Sequence, residues 1–309
     1  MTRHEVRLAV GVSGRLDRAL ADALGLGRAA VKEAFQLGRV RVEGRRARAA
    51  DPAREGLRVV IEVEGAAGPP APETGVPLRV LAESPRWVVV DKPPGVPTHP
   101  LRPGERGTLA GAVAARYPEC ASASADAREG GAVHRLDAGT SGCVLFARDR
   151  GAWEALRGAL SRREVEKAYR ALVAGRVEAG GVCSVPLAQL GGRSVAVPDP
   201  ARLPARAGAP RPAETLYEPV RAFERHTLLE VRIPTGAMHQ IRAHLAWLGH
   251  PVAGDVEYGG EAAALPGLSR QFLHAGRLGF QRPEGGRAEV ESPLPPDLEE
   301  VLARLAPRG

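Results

Sequence analysis

The apolar positions of the first 64 residues recur with the spacing of two helices and two strands. Apolar side chains three and four residues apart predict helices over 16–24 and 31–37. Val40 and Val42 alternate with polar residues as they would in a strand, and a second strand-like run covers 57–63. The pattern therefore predicts a small unit of two helices followed by short strands.

From residue 78 onwards, strand-like and helical runs alternate along the chain. Strands are expected over 87–90, 144–147, 169–173 and 228–233, and helices over 151–162 and 239–248. Two stretches rich in proline and glycine, 190–212 and 261–267, are expected to be surface loops. This mixture predicts an α+β domain that is large enough to bury its own core.

A segment of small residues and prolines separates the two parts. Residues 65–77 consist mainly of glycine, alanine and proline, a composition typical of a semi-rigid linker. We therefore expect a small domain over 1–64, a linker over 65–77 and a large domain over 78–309.

Composition excludes several classes of protein. The 309 residues are 44% apolar and 26% charged, which is neither a disordered nor a membrane-like composition. No apolar run approaches the roughly 18 residues of a membrane span, and the first residues do not resemble a secretory signal. Cys120, Cys143 and Cys183 are widely spaced and form no CxxC pair, which argues against a disulfide framework and predicts a reducing cytoplasm.

The charge distribution favours a polyanionic partner. The chain has a formal net charge of +7, and the first 64 residues hold thirteen basic and nine acidic side chains. Arg28, Lys32 and Arg39 belong to this basic set and are candidate contacts to nucleic acid. A solvated charged face would give the same pattern.

Familiar cofactor and metal motifs are missing or out of context. Residues 25–30 match GxGxxA, but a helix precedes them, whereas the dinucleotide fold requires a strand there. His239 and His244 are five residues apart and do not share a helix face as the ligands of an HExxH motif do. We therefore expect neither a cofactor nor a metal.

One segment combines a polar loop with a rigid strand. Over 133–147, a loop punctuated by glycine runs directly into an apolar strand and places Asp137 just before it. Arg135 supplies a cation and Thr140 a hydroxyl close to this carboxylate. The alternative interpretation is an aspartate that merely caps a turn.

Two further segments carry candidate side chains. Lys167 and Tyr169 are two apart on a predicted strand and project to the same face, either as a pocket wall or as an ordinary edge strand. In the helix predicted over 239–248, the apolar stripe leaves Arg242 on another face. That arginine is either a surface residue or part of a site.

These segments together resemble the RluA-type pseudouridine synthases. Residues 134–142 read HRLDAGTSG and match the family signature HRLDxxTSG at every defined position. The KAY at 167–169 is similar to the family's K-x-Y element, and GAMHQIRAHL at 236–245 is similar to GRxHQIRxHL, apart from Ala237 and Met238. GHPVAGDVEYG at 249–259 resembles the continuation GHPxxGDxxYG. The resemblance spans roughly residues 12 to 300, and its front part is similar to an S-four RNA-binding domain.

The resemblance implies a fold and a set of roles. It implies a pseudouridine synthase fold, with a mixed, largely antiparallel central sheet flanked by helices and loops, and a small N-terminal α/β RNA-binding domain. Asp137, Tyr169 and Arg242 are then the catalytic residues: an essential carboxylate, a ring that packs on the target base, and an arginine that favours the ionised carboxylate. Arg135 would fill the space left by the flipped base. The other expected RNA contacts are His134, Thr140, Lys167, His239, Gln240, Arg28, Lys32 and Arg39.

The function implied is isomerisation of specific uridines in RNA to pseudouridine, with large-subunit ribosomal RNA as the expected substrate. Three alternatives remain open at this point: a transfer RNA substrate, a non-catalytic RNA-binding factor in ribosome assembly, and a hydrolytic nucleosidase. The reaction requires no cofactor. We expect a monomer that has RNA, and no membrane, as its partner.

Overall fold

The computed structural model describes residues 2–24, 28–63, 68–102 and 104–305. The chain forms two compact units: residues 1–68 with 101–105 are the smaller unit, and residues 69–100 with 106–309 are the larger unit. No helix in the described part is long and apolar enough to cross a membrane.

The smaller unit packs two helices with a four-stranded antiparallel sheet of order β1-β4-β2-β3. Its elements are β1 (Thr2–Arg7), α1 (Leu16–Leu24), α2 (Arg28–Gln36), β2 (Val40–Val42), β3 (Arg45–Arg46) and β4 (Arg58–Val63). The predicted helices are confirmed, and Leu16, Leu20, Val31 and Ile61 lie in the core between them and the sheet. Strand β1 was not predicted, because it is an edge strand with mostly polar side chains and lacks a strong apolar alternation.

The larger unit is built on a nine-stranded sheet. Its nine strands are β5 (Arg79–Glu83), β6 (Trp87–Lys92), β7 (Ser141–Ala147), β8 (Glu166–Ala174), β9 (Gly181–Cys183), β12 (Thr215–Ala222), β13 (His226–Arg232), β14 (Leu273–Gln281) and β15 (Arg287–Glu291). A separate hairpin is formed by β10 (Leu187–Leu190) and β11 (Arg193–Ala196). The order is β5-β6-β7-β14-β8-β13-β12-β9, with β15 paired to β14. Among the described strands, β7 and β14 are parallel and the other pairs of this sheet are antiparallel. The expected mixed, largely antiparallel sheet is therefore confirmed.

Helices cover both faces of this sheet. They are α3 (Leu109–Arg116), α4 (Arg150–Ser161), α5 (Gln240–Trp247), α6 (Val256–Gly259) and α7 (Pro296–Leu305). In β6, Trp87 and Val89 pack with the apolar side of α4, whereas Val88 and Val90 pack in the cluster that contains α3, α5 and α7. Burial on both faces explains why β6 is a continuous apolar run in the sequence.

The expected loop over 190–212 is partly wrong. It contains β11 and a short 3₁₀ helix, Pro200–Arg202, and β10 pairs with β11 as a hairpin. Gly191 and Gly192 form the turn with φ values of 60° and 84°, a conformation that glycine adopts without steric cost. The expected loop over 261–267 also begins inside a 3₁₀ helix, Gly260–Ala263.

The expected linker over 65–77 is shorter in the structure. Residues 69–77 belong to the larger unit, and residues 64–67 lie outside the described residues. The Glu73 carboxylate accepts hydrogen bonds from the backbone N–H groups of Gly107, at 3.0 Å, and Thr108, at 2.9 Å, just before α3. Part of the segment expected to be a linker is therefore fixed by specific contacts.

Candidate active site

The larger unit contains a cavity of about 490 Å³ at the strand ends around the loop that precedes β7. The structure brings together around it nine side chains that were singled out from the sequence: His134, Arg135, Asp137, Thr140, Lys167, Tyr169, His239, Gln240 and Arg242. Because these residues come from three segments far apart in the chain, their convergence is a property of the fold.

Lys92, the last residue of β6, and Thr98, in the loop that follows, hold the Asp137 loop in place. The hydroxyl of Thr98 bonds both the N–H and the carbonyl of Leu136, each at 3.1 Å. The ammonium of Lys92 donates to the carbonyls of Pro93, at 2.9 Å, Val96, at 2.7 Å, and Ala138, at 2.8 Å. The residues on either side of Asp137 are thus fixed by backbone contacts, which orient its carboxylate toward the cavity.

Lys92 is fully buried, and burial lowers its pKa to about 7. Replacing Lys92 with methionine keeps the aliphatic stem and removes the donor to three carbonyls. We expect the free energy of unfolding to fall by about 1–3 kcal/mol, the cost of buried acceptors that lose a partner. Because Ala138 adjoins Asp137, kcat should fall more than KM rises. Urea denaturation and steady-state kinetics measure both effects, with the exposed Arg202→Met as control; a variant with unchanged kcat would contradict this assignment.

A glycine makes the close approach of β7 to β14 possible. Gly142 has φ 113°, and a Cβ atom at this position would lie 2.3 Å from the carbonyl oxygen of Ala275. Gly142 is paired with Ala275 in the parallel ladder. Gly142, the glycine of the TSG sequence, therefore allows β7 and β14 to lie in close contact next to the Asp137 loop.

Arg242 is the centre of an ion-pair cluster. Its Nη1 lies 3.2 Å from Oδ2 of Asp137, and its Nε and Nη2 donate to the two carboxylate oxygens of Asp255 at 2.6 and 2.9 Å. Nη2 also lies 2.7 Å from Oε2 of Glu257. The side chain of Arg242 is 7% exposed, that of Asp255 is 1% exposed and that of Asp137 is 21% exposed. The firm bidentate contact to Asp255 anchors the guanidinium, and Nη1 is left to hold Asp137 at the cavity wall.

Burial alone would lower the pKa of Arg242, but the hydrogen bonds and charge of Asp255, together with the charge of Asp137, raise the pKa above its ordinary value. The guanidinium therefore stays charged. The expectation of a pairing between Arg242 and Asp137 agrees with the geometry, whereas the interpretation of Arg242 as a surface arginine is wrong.

Lys167 and Tyr169 both face the cavity from β8. The Lys167 ammonium donates to the carbonyl of Thr235 at 3.0 Å, and burial lowers its pKa to about 8. Burial and the charge of Asp137 raise the pKa of Tyr169, which keeps the phenol neutral. Tyr169 therefore presents a flat, neutral ring beside the carboxylate.

His134 and Thr140, two of the expected RNA contacts, are bonded to the protein itself. The Nε2 of His134 accepts the N–H of Leu145 at 3.2 Å, and burial, with the charges of Lys167 and Arg157, lowers the pKa of His134 to about 3. The Thr140 hydroxyl accepts from the amide of Gln271 at 3.2 Å. His134 and Thr140 thus join the loop to the strands around it.

The side-chain amide of Gln240 has no hydrogen-bonding capacity left for a ligand. Its oxygen accepts from the hydroxyl of Thr235, at 2.8 Å, and from the N–H of Ala237, at 3.0 Å. Its nitrogen donates to the carbonyl of Glu214, at 2.7 Å, and to the hydroxyl of Thr215, at 3.2 Å. A side-chain amide has two donor hydrogens and two acceptor sites, and all four are used in Gln240. The two bonds accepted from residues 235 and 237 hold this turn in place.

Arg135 differs from these residues. It is exposed at the cavity and forms neither a hydrogen bond nor an ion pair with any other residue in the described ranges. The same end of the cavity is lined by His99, Arg128, Glu129 and Arg157. Arg128 is paired with Asp126 and Arg157 with Glu129, so among the described residues of this wall Arg135 is the guanidinium that is available to an anionic or planar ligand.

Lys32 and Arg39 lie in the smaller unit and do not line this cavity. Arg28 begins α2, but its side chain lies outside the described residues. Nothing in the geometry of the cavity tests the role predicted for these three residues.

Sequence reasoning assigned no role to several residues that organise the site. Thr98 holds the loop, Asp255 and Glu257 hold Arg242, and Tyr258 bonds His239. Asp255 also caps α6, and an aspartate at the N-cap position is a usable signal of a helix start. Within the described ranges, no three His, Cys, Asp or Glu side chains are grouped as metal ligands would be.

The fold resembles that of solved pseudouridylate synthases. Human RNA Pseudouridylate Synthase Domain Containing 1 matches with a TM-score of 0.57 and 24% identity, covering 74% of this chain and 89% of that chain. Human RNA Pseudouridylate Synthase Domain Containing 4 matches with a TM-score of 0.55 and 21% identity, covering 74% and 92%. These likenesses define the class of fold.

Sequence comparison defines the family. The RNA pseudouridylate synthase family profile matches residues 86–247. An uncharacterized RNA pseudouridine synthase of Chloroflexus aurantiacus is 39% identical over 96% of this chain and 91% of its own length. The ribosomal large subunit pseudouridine synthase D of Xanthomonas campestris is 34% identical over 94% of this chain and 88% of its own length. The chain therefore belongs to the RNA pseudouridine synthases of the RluA type and is an RNA-modifying isomerase, as the resemblance implied.

Proposed function

We propose that this synthase isomerises uridines in large-subunit ribosomal RNA and uses Asp137 as its essential carboxylate. The observation that carries the proposal is the pairing of Asp137 with Arg242 on the wall of a cavity shared with Tyr169. The Xanthomonas relative is named for the large ribosomal subunit, which supports the choice of RNA.

Isomerisation breaks the bond between the ribose and a uracil nitrogen, turns the base, and joins the ribose to a ring carbon. Asp137 either attacks the anomeric carbon or takes a proton from the neighbouring ribose carbon, and both routes require the ionised carboxylate. Arg242 supplies the positive charge that stabilises this form. The partly exposed Asp137 is thus a reactive group, while the buried Asp255 is an anchor.

The cavity also has to hold an extruded base. Flipping a base out of a stack costs a few kcal/mol. Stacking of the flipped base on an aromatic side chain offsets this cost by about 1–3 kcal/mol. The neutral ring of Tyr169 is suited to stack on the detached uracil and retain it. Arg135, exposed and unpaired with described residues, is suited to occupy the space that the base leaves in the RNA.

The direct test is to treat unmodified transcripts of large-subunit ribosomal RNA and of transfer RNA with the purified protein. Carbodiimide-based sequencing then maps pseudouridine at single-nucleotide resolution. We expect discrete sites in the ribosomal transcript. Sites confined to transfer RNA would overturn the proposed substrate, and release of free uracil would indicate a nucleosidase.

The smaller unit is proposed to be an S-four-like RNA-binding domain that supplies affinity independent of sequence. Lys32, Arg45 and Arg48 are exposed in it. Replacing all three with glutamine should raise KM and leave kcat within about twofold. Each lost phosphate contact should also reduce the slope of log K against log salt by about 0.7–0.9, as measured by filter binding from 50 to 200 mM salt. An unchanged slope would mean that these side chains do not contact phosphate.

We further propose that the protein acts in the cytoplasm as a monomer. Cys120, Cys143 and Cys183 are buried free thiols, as suits a reducing compartment. Sedimentation at micromolar concentration tests the oligomeric state.

A further inference from the structure

We infer that His239 is a positioning residue that donates a hydrogen bond from Nε2 to Asp137, in a tautomer fixed by Tyr258. The inference rests on the proposed role of Asp137 and gives His239 a function other than the expected RNA contact. It concerns which ring nitrogen carries the proton, a property that can be measured without turnover.

The backbone of His239 is shaped to place the ring between two partners. The residue precedes α5 with φ 53°, in the left-handed region, which is uncommon for residues other than glycine. Its Nε2 lies 3.8 Å from Oδ1 of Asp137, and its Nδ1 lies 3.0 Å from the hydroxyl oxygen of Tyr258. The ring is 18% exposed, so protein atoms surround most of it.

The tyrosine side of the ring determines the role of Nδ1. The Tyr258 oxygen already accepts the backbone N–H of Ser194 at 2.9 Å. A phenol has one proton to donate, and Nδ1 is its acceptor within hydrogen-bond distance among the described residues. The Glu257 carboxylate is 4.0 Å from Nδ1, but it is bonded to Arg242 at 2.7 Å. Nδ1 therefore presents its lone pair to Tyr258.

The aspartate side of the ring leads independently to the same tautomer. An ionised carboxylate only accepts hydrogen bonds, so a lone pair on Nε2 would face the lone pairs of Asp137. The favourable arrangement has the proton on Nε2. Since catalytic hydrogen bonds are often long in free enzymes and shorten when substrate binds, the separation of 3.8 Å is compatible with a bond formed in the RNA complex.

The two donors act on different oxygens of the same carboxylate. Arg242 contacts Oδ2 of Asp137, and His239 faces Oδ1. One donor fixes the position of the carboxylate, whereas two donors on opposite oxygens also fix its rotation. His239 thereby determines which carboxylate lone pairs point toward the ribose.

The first experiment measures the tautomer. Full-length protein labelled with ¹⁵N-histidine is examined at pH 7.5, and the His239 signals are assigned by comparison with His239→Gln. We expect the ¹⁵N chemical shifts of His239 to be those of an Nε2–H imidazole. The chemical shift of Nε2 should change in Asp137→Asn, and the fixed tautomer should be lost in Tyr258→Phe. A signal from Nδ1–H imidazole or from imidazolium would overturn the inference, even if Asp137 proves to be essential.

The second experiment measures catalysis. Forming pseudouridine releases the C5 hydrogen of uridine. Turnover is therefore measured as tritium release from a [5-³H]uridine-labelled transcript in which carbodiimide mapping has located a pseudouridine. Tyr258→Phe should lower kcat about tenfold, as expected for one lost hydrogen bond, with KM within about twofold. Tyr217→Phe, in β12, is the matched control.

Conservative substitution separates positioning from folding. His239→Gln, whose amide can still donate from Nε2, should retain more kcat than His239→Leu at equal thermal stability. Equal activity of the two variants, or a wild-type kcat in Tyr258→Phe, would refute the positioning role. Asp137→Asn remains a separate test of the proposed function, since its result does not depend on the tautomer.

Discussion

Asp137→Asn should lower product formation by orders of magnitude while RNA binding is retained. Asparagine keeps the shape of the side chain and can still accept from Arg242, but it is neither a nucleophile nor a base. We expect turnover to fall by about 10²–10⁴-fold, the range for a lost acid–base or nucleophilic group, with Kd for RNA within about twofold. Tritium release and filter binding measure the two quantities.

The matched control for this variant is Asp199→Asn, which removes an exposed carboxylate that caps a short 3₁₀ helix away from the cavity. It should leave turnover unchanged. Robust turnover by Asp137→Asn itself would refute the assignment of the essential carboxylate.

Arg242→Met should have the largest effect on stability. It leaves the carboxylate of Asp255, which is 1% exposed, without its guanidinium, and it removes the partner of Asp137 and Glu257. Breaking a buried ion pair in this way costs about 3–5 kcal/mol. Urea denaturation followed by circular dichroism should show this loss, and turnover should fall as well.

Two further variants sharpen the interpretation of Arg242→Met. Adding Asp255→Asn removes the unpaired buried charge, so the double variant should regain stability without regaining turnover. Arg150→Met breaks an exposed pair with Glu154 and should change stability by only about 0.5 kcal/mol or less. If Arg242→Met were as stable as the control, the cluster would not contribute to folding.

The sequence predicts the elements of the larger unit well where apolar patterning is strong. Strands buried on both faces, such as β6 and β7, are continuous apolar runs, and α4 is amphipathic. β1 and the β10–β11 hairpin were missed because their side chains are mostly polar or their turn lies in a stretch rich in glycine and proline. Local patterning does not show which polar segments will find a partner strand.

The site was predictable in its residues and less so in their contacts. Periodicity alone left Arg242 either on the surface or in a site. The resemblance to a family predicted its pairing with Asp137, which is 105 residues away in the sequence. The sequence identifies Gln240 as polar, yet only the fold shows that all its hydrogen bonds are made to protein. Asp255 stands in the segment that resembles GHPxxGDxxYG, but the local sequence does not show that its carboxylate binds Arg242.

The position of β14 has a consequence for synthesis of the chain. This strand, Leu273–Gln281, lies between β7 and β8 in the middle of the sheet although it comes late in the sequence. Until it leaves the ribosome, the nascent polypeptide holds two half-sheets with open edges, which invite aggregation. The central sheet can therefore close only after residues 273–281 have been synthesised, and a nonsense codon before residue 273 would yield an aggregation-prone fragment that lacks β14.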